Sequence, residues 1–120
     1  IAVLGLNPHN SELEKSSEEF KIIIPAIKKL KRYGLVDGPM VADNFFINDF
    51  KKYDVVVGMY HDQVLIPFKS IFKFNAINIT LGLDYLRISP DHGTARDNIL
   101  KGKGNPKSLL ECIRFLDKLK

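Results

Sequence analysis

Two histidines follow apolar segments of the chain, and their positions are the first indication of chemistry. His9 comes shortly after the apolar residues 1–6, and His61 closely follows the apolar run of residues 55–58. Open α/β sheets bind ligands beyond the carboxyl ends of their strands, so two such strands in one sheet would bring both rings to one crevice. A divalent cation could be held there. The alternative is that each ring simply packs at a turn or a strand end.

Three further side chains could bind an anion. Lys69, Asn78 and Arg87 recur every nine residues. Arginine offers a bidentate fork, lysine a point charge and asparagine a neutral donor, which together suit a phosphate or a carboxylate. The alternative is that each is an ordinary surface group. The two sets together suggest a metal and an anionic substrate.

Two weaker candidates complete the set. Residues 91–106 are rich in glycine, and Asp97 could hydrogen-bond a ribose diol while repelling a 2′-phosphate. The segment lacks the strand followed by G-x-G-x-x-G, so a turn with helix caps is the alternative. Asp43 could orient a substrate hydroxyl, or could cap the helix that follows it. The general base is not assigned by the sequence, and Asp43 is the candidate for a catalytic role.

Strands are predicted where apolar residues run continuously or alternate. Residues 1–6 and 54–59 are typical of buried parallel strands, and residues 77–81 and 85–89 alternate. Residues 37–39, Asp-Gly-Pro, predict a turn into a short segment over residues 40–42.

Helices are predicted between these strands. The first begins with an N-cap and capping box at residues 16–19, contains Pro25 and ends at Gly34. The second covers residues 44–53. The last follows Asn105-Pro106 and carries an apolar face composed of Leu109, Leu110, Ile113, Leu116 and Leu119. Alternating strands and helices indicate an α/β layered domain, with residues 1–120 forming one unit.

Composition narrows the class of protein. Hydrophobic residues make up 45% of the 120 residues and charged residues 27%, which is typical of globular rather than disordered or membrane proteins. The net charge is +4, and the basic residues cluster only at residues 28–32 and 101–103. This distribution suits an anionic small-molecule ligand better than nucleic acid. With Cys112 as its single cysteine, the chain cannot form an internal disulfide, and this cysteine usage favours the cytoplasm. Cys112 itself is predicted to be a small core or boundary residue. Because residue 1 already lies in a strand pattern, we expect a fragment of a longer chain.

The ordered motifs of the chain resemble the 4-hydroxythreonine-4-phosphate dehydrogenase family. They are Gly5-Leu6-Asn7-Pro8-His9, Ala42-Asp43, Met59-Tyr60-His61-Asp62-Gln63, Asn78-Ile79-Thr80-Leu81-Gly82-Leu83 with Arg87, and Asp91-His92-Gly93-Thr94-Ala95. The resemblance is to the C-terminal part of a longer, two-domain chain. It implies a layered α/β/α domain of the isocitrate and isopropylmalate dehydrogenase-like type.

This resemblance also implies roles for the candidate residues. His9 and His61 would ligate a divalent metal (Zn, Mg or Co) together with a third histidine upstream of residue 1. Lys69, Asn78 and Arg87 would bind the phosphorylated substrate. The active site would lie in a cleft completed by the partner subunit, so a homodimer is expected, and the fragment alone is expected to be inactive.

A second resemblance concerns the cofactor. From His92 to Pro106 the chain is similar to the adenosine-binding loop of isopropylmalate and isocitrate dehydrogenases. It implies cofactor roles for His92, Asp97 and Asn105, with Asp97 favouring NAD over NADP. One departure is that residues 10–15 replace the small and glycine residues that usually follow the Asn-Pro-His motif, so we expect this loop to move differently.

The function implied is NAD-dependent, metal-assisted oxidation of 4-phosphooxy-L-threonine. Decarboxylation would then give an aminoketone phosphate for pyridoxine (pyridoxal phosphate) biosynthesis. Two alternatives stay open. One is a related dehydrogenase for another phosphorylated hydroxy acid, and the other is a non-catalytic metal-binding or oligomerisation domain.

Overall fold

The computed structural model describes residues 1–93, 102 and 104–119, which fall into two compact units, Ile1–Pro67 and Phe68–Lys120. Folding of residues 1–120 as a single unit stays a prediction. Within the described residues, no helix combines the length and the apolar character needed to cross a membrane.

The first unit is built on a three-stranded parallel sheet. Its strands are β1 (Ala2–Leu4), β2 (Asp37–Met40) and β3 (Val56–Val57), in the order β2-β1-β3. The central strand β1 is buried along its whole length. The predicted parallel sheet is therefore confirmed, with the strands that precede the two histidines as direct neighbours.

Two details of the strand prediction are wrong. Residues 37–39 form most of β2 rather than a turn, and Pro39 is tolerated because an edge strand can lose one ladder donor. The strand predicted over residues 54–59 is only two residues long, and Val57 is 40% exposed. It lies at the other edge of the described sheet, where an apolar run is not enclosed on both sides.

Helices cover both faces of this sheet because successive strand residues point to opposite faces. Val3 packs with Ile23 and Ile27 on the side of helix α1 (Ile24–Leu30). On the opposite face, Ala2 and Leu4 pack against Phe45 of helix α2 (Ala42–Asn48). The result is the predicted α/β/α layering.

The first helix begins differently from its prediction. The Ser17 hydroxyl accepts a hydrogen bond from the Phe20 N–H (3.2 Å), whereas Glu19 points inward and does not close a capping box. A π-helical turn, Glu19–Ile23, precedes α1, and Pro25 then occupies the second position of α1. Because residues 19–24 are already helical, Pro25 lies inside a continuous helical segment, where the π-helical turn passes into α1. A 3-10 turn, Lys31–Tyr33, leads to Gly34, the predicted stop.

The helix predicted over residues 44–53 appears as α2 followed by a 3-10 turn, Phe50–Lys52. Helix α3 (His61–Phe72) was not predicted, since Pro67 interrupts its pattern, and it spans the division between the two units.

The second unit contains a two-stranded antiparallel sheet and a helix. Strands β4 (Ile77–Thr80) and β5 (Arg87–Pro90) confirm the two alternating segments, and α4 (Lys107–Asp117) confirms the last helix. The Asn105 side-chain oxygen accepts a hydrogen bond from the N–H of Lys107, the first residue of α4 (3.0 Å), although the N-cap position itself is Pro106. Cys112 is buried, as predicted.

The face of α4 that packs inward is not the predicted one. The five leucine and isoleucine residues of the predicted apolar face are between 39% and 59% exposed, while Ser108 and Cys112 are buried. The Ser108 hydroxyl donates to the Ala76 carbonyl oxygen and accepts from the Asp91 N–H. These two bonds hold the small-residue face of α4 against the strands.

Candidate functional site

His9 is bonded to the acid predicted to contact substrate. It lies in the turn after β1, and its Nε2 is 3.2 Å from Oδ2 of Asp43, in the first turn of α2. The alternative that Asp43 caps α2 is wrong, because Val41 is the N-cap residue and no side chain caps this helix. Both side chains are more than half exposed.

The second histidine has a similar partner. His61 is the first residue of α3, just beyond β3, and its Nδ1 lies 2.7 Å from Oδ1 of Asp62. Each histidine at the end of a parallel strand is thus hydrogen-bonded to an aspartate.

The two aspartates line one cleft. It has a volume of about 380 Å³ and lies beyond the carboxyl ends of the first unit's strands, the edge at which open sheets bind ligands. The other lining residues are Leu6, Asn7, Pro8, Ala42, Phe46, Tyr60, Gln63, Ile66 and Pro67. A second cleft of about 370 Å³ beside α1 is lined almost entirely by aliphatic side chains and offers no comparable chemistry.

The donor atoms fit part of a metal site. Imidazole nitrogens suit zinc and cobalt, and a carboxylate bonded to one ring nitrogen commonly orients the other toward a metal. Here the aspartates engage Nε2 of His9 and Nδ1 of His61, so a cation would take the opposite nitrogen of each ring. Among the described residues, no group of three histidine, cysteine or acidic side chains is placed to hold a metal ion. Catalytic zinc usually has three protein ligands, so these two histidines would need a further donor.

A buried carboxylate holds the turn that leads to His9. Glu19 is fully buried and accepts hydrogen bonds from the Leu6 N–H (2.8 Å), the Asn7 N–H (2.7 Å) and the Asn7 side-chain amide (3.1 Å). Burial raises the pKa of Glu19, but the hydrogen bonds from Asn7 and Leu6 outweigh it and leave this pKa below its ordinary value. Sequence reasoning missed this role because the acid comes from a distant helix, and no local pattern links it to the turn.

Two amide side chains fix the same turn from other directions. Asn10 is buried and donates to the Pro39 carbonyl oxygen (2.8 Å). A Cβ atom at Gly5 would lie 1.9 Å from Oδ1 of Asn10, so glycine is required there. Gln63 donates to the Gly5 carbonyl oxygen (2.6 Å) and accepts from the Met59 N–H (2.8 Å). Gln63 lies within one of the motifs described from the sequence, but no role was predicted for it.

The backbone that carries His9 is left-handed. Residues 9–13 all have φ between 46° and 58°, and none is glycine. This conformation is sterically unfavourable for L-residues and is rarely found in consecutive positions. The sequence departure noted after the Asn-Pro-His motif therefore coincides with an unusual backbone.

In the second unit, two of the three predicted anion ligands share one face of a sheet. Asn78 pairs with Ser89, and Thr80 pairs with Arg87 across β4 and β5. Because alternate strand residues point the same way, Asn78 and Arg87 lie on the same face. Arg87 donates from Nη1 to Oγ1 of Thr80 (2.8 Å).

The third predicted anion ligand is ion-paired. Lys69 lies in the last turn of α3, and its Nζ is 3.1 Å from Oδ1 of Asp91, the residue that follows β5. Lys69 is 44% exposed, so its ammonium group is also open to solvent.

The predicted cofactor residues are not assembled into a site by the described part of the chain. His92 is exposed, with Nδ1 3.2 Å from the neighbouring Gly93 carbonyl oxygen. The Asn105 side-chain oxygen accepts a hydrogen bond from the Lys107 N–H at the start of α4. Asp97 lies outside the described residues. Their role in binding NAD stays a prediction.

The first unit is thus of an α/β class in which two histidines beyond parallel strands are hydrogen-bonded to aspartates that line one cleft. The family model for pyridoxal phosphate biosynthetic protein PdxA matches residues 1–116, and the chain belongs to that family. It is 48% identical to 4-hydroxythreonine-4-phosphate dehydrogenase of Aquifex aeolicus, over 99% of this chain and 38% of the relative. It is 42% identical to D-threonate 4-phosphate dehydrogenase of Pectobacterium atrosepticum, over 96% of this chain and 36% of the relative.

A solved structure agrees with this membership. The crystal structure of 4-hydroxythreonine-4-phosphate dehydrogenase from Klebsiella pneumoniae matches with a TM-score of 0.75 and 39% identity, over 95% of this chain and 35% of that chain. The chain therefore spans a little over one third of the length of the proteins that it matches.

Proposed function

We propose that the full-length protein containing this chain is an NAD-dependent 4-hydroxythreonine-4-phosphate dehydrogenase. It oxidises 4-phosphooxy-L-threonine, and loss of carbon dioxide then gives an aminoketone phosphate for pyridoxine biosynthesis. The observation that carries the proposal is the placement of His9 and His61 at neighbouring strand ends, each bonded to an aspartate of one cleft. Family membership supports the substrate and the reaction.

Each residue of the cleft has a separate task. His9 and His61 hold a divalent cation (Zn, Mg or Co), and their aspartate partners fix the orientation of the rings. Bound there, the cation would stabilise negative charge on the oxygen of the substrate hydroxyl. Oδ2 of Asp43 is hydrogen-bonded to His9, so Oδ1 is available to accept a hydrogen bond from the substrate hydroxyl.

The second unit supplies the anion site. Asn78 and Arg87 point from one sheet face, and the unused N–H groups of the Arg87 guanidinium form bidentate bonds to the substrate phosphate. Lys69 adds a positive charge, with Asp91 as its counter-ion before substrate binds. The shared face of Asn78 and Arg87 supports this assignment.

NAD and the homodimer rest on the family resemblance, and a cytoplasmic location rests on the single cysteine. His92, Asp97 and Asn105 are the proposed cofactor residues. Since the Asn105 side-chain oxygen is already hydrogen-bonded to the Lys107 N–H, its NH₂ group is the part that would contact the nucleotide.

The test is NADH formation by the full-length protein supplied with 4-phosphooxy-L-threonine. We expect activity in the wild type that is lost with a chelator, restored by added divalent metal, and abolished in His61→Ala. Asn48→Ala, an exposed change at the end of α2, is the matched control and should keep full activity. A folded, metal-loaded wild type that makes no NADH would refute the assignment.

A second candidate is favoured by one comparison. The relative from Pectobacterium atrosepticum is named for D-threonate 4-phosphate, which shares the phosphate and hydroxy-acid groups but differs in the carbon skeleton. Measuring kcat/KM for both substrates with the same preparation separates the two. Turnover of either substrate contradicts the non-catalytic alternative.

A further inference from the structure

One side chain bridges the ends of the two strands that precede the histidines. The Gln63 amide donates from Nε2 to the Gly5 carbonyl oxygen (2.6 Å) and accepts at Oε1 from the Met59 N–H (2.8 Å). The orientation of this amide is determined by its partners, because a carbonyl only accepts and an N–H only donates. Gln63 therefore joins the segment after β1 to the segment after β3.

The bridge occupies the place of a backbone ladder bond. The register pairs Ala2 with Val56 and Val3 with Val57, so Gly5 stands opposite Met59. At that level the amide of Gln63 is inserted between the two strands, offering one donor and one acceptor as a peptide group would. On its other side β1 stays bonded to β2, through the Gly5 N–H and the Met40 carbonyl oxygen (2.9 Å). The sheet is thus opened by one amide group on the β3 side alone.

The surroundings hold this bridge in place. A Cβ atom at Gly58 would lie 2.5 Å from Cγ1 of Val64, so glycine there lets the first turn of α3 pack closely on the end of β3. Glu19 binds the next two backbone N–H groups after Gly5. The Gln63 side chain is partly buried and also lines the cleft that contains both histidine-bound aspartates.

We propose that Gln63 is a positioning residue, which fixes the spacing between the two strand ends and thereby the separation of His9 and His61. The inference rests on the proposed metal-binding role of these histidines. Gln63 acts through the backbone and does not ligate the metal.

Cobalt binding by the full-length protein tests this role, because the visible absorption of bound Co²⁺ reports the geometry of its ligands. Gln63→Met keeps the approximate size and removes both hydrogen bonds. Gln63→Glu as a carboxylate keeps the acceptor for Met59 and loses the donor to Gly5. Asn48→Met, an amide-to-thioether change on an exposed helix position, is the matched control.

We expect Gln63→Met to bind Co²⁺ about 10–100-fold more weakly with an altered absorption band, as is typical when a residue supporting a metal ligand is removed. Gln63→Glu should fall between it and the wild type, and Asn48→Met should match the wild type. Thermal unfolding of each metal-free variant shows whether the fold is retained. If Gln63→Met does not fold, Gln63→Glu decides the test.

Two outcomes overturn the proposal, and they are distinguishable. If Gln63 variants keep the wild-type band, or lose affinity only as far as they lose thermal stability, Gln63 has no positioning role although the metal site stands. If His61→Ala binds Co²⁺ like the wild type, the metal site itself is wrong, and the positioning role falls with it.

Discussion

Glu19 is a buried charge whose cost is offset by hydrogen bonds. Burying an ionised carboxylate is unfavourable unless its oxygens accept hydrogen bonds. Here the buried Glu19 carboxylate accepts three, one from Leu6 and two from Asn7. Its pKa lies below its ordinary value of 4.5 because these bonds outweigh the effect of burial, which raises it. The ionised form is therefore the form that the fold stabilises.

The acid sensitivity of the fold follows from this pKa. A lowered folded-state pKa contributes stability that is present above pH 4.5 and is lost as the pH falls through the folded value. We expect Glu19→Gln to lower the free energy of unfolding by about 2 kcal/mol at pH 7 and to flatten its decline below pH 4.5. Denaturant unfolding across pH measures both effects. Glu12→Gln, at an exposed position, is the control, and equal pH profiles for wild type and Glu19→Gln would contradict the argument.

Arg87 makes a residue-specific prediction for the anion site. Replacing its planar fork by the single ammonium of Arg87→Lys removes bidentate bonding while keeping the charge. We expect KM for the phosphorylated substrate to rise about tenfold, equivalent to about 1.4 kcal/mol, with a smaller change in kcat. Steady-state kinetics measures KM and kcat separately. Arg114→Lys, which alters a surface ion pair of α4, should leave KM unchanged; an unchanged KM in Arg87→Lys would make Arg87 an ordinary surface residue.

At the scale of elements, the left-handed segment of residues 9–13 stands out. Successive non-glycine residues with positive φ each carry a steric cost of roughly 1–2 kcal/mol between Cβ and backbone. The buried Asn10 and its bond to Pro39 hold the segment against the sheet. Its conformation is thus imposed by tertiary contacts.

This strain predicts that glycine stabilises the segment. Glu12 is exposed with φ of 50°, so Glu12→Gly removes the Cβ clash without removing a buried contact. We expect the free energy of unfolding to rise by up to about 1 kcal/mol. Lys29→Gly, at an exposed position of α1, should instead lower it by about 1 kcal/mol. Chemical denaturation of both variants decides, and destabilisation by Glu12→Gly would show that the left-handed turn is not strained.

The elements also show what the sequence could and could not predict. Apolar runs predicted β1 and β3 and, through them, both histidines at one edge of a sheet. The Asp37-Gly38-Pro39 turn signal misled the prediction, because it was overridden by an edge strand, and α3 was missed altogether. The prediction of which face of α4 packs inward was wrong for a related reason. The two hydrogen bonds of Ser108 bury the opposite face, and they depend on partners distant in sequence.

The candidate site residues divide in the same way. The placement of His9 and His61 beyond strand ends was predictable because a strand end is a local feature of the sequence. Glu19 and Gln63 were not, since each acts on backbone groups of another element and only the folded chain brings them together.

At the scale of the whole molecule, the two units carry complementary parts of the proposed chemistry. The first holds nitrogen donors for a metal, and the second holds cationic and amide groups for a phosphate. Two histidines are fewer ligands than catalytic zinc requires, and the chain covers a little over one third of its relatives. The proposed metal site would therefore need a further donor from the full-length protein.

Metal binding should consequently stabilise that full-length protein. A ligand that binds only the folded state at one hundred times its Kd adds about 2.7 kcal/mol to the free energy of unfolding. We expect zinc to raise the Tm of the wild type and a chelator to reverse the shift, because the cation joins segments that separate on unfolding. The shift should vanish in the double variant His9→Ala/His61→Ala and persist in Asn48→Ala. Calorimetry measures the Tm of these three proteins with zinc and with chelator, and a zinc-dependent Tm that survives the double variant would place the metal elsewhere in the protein.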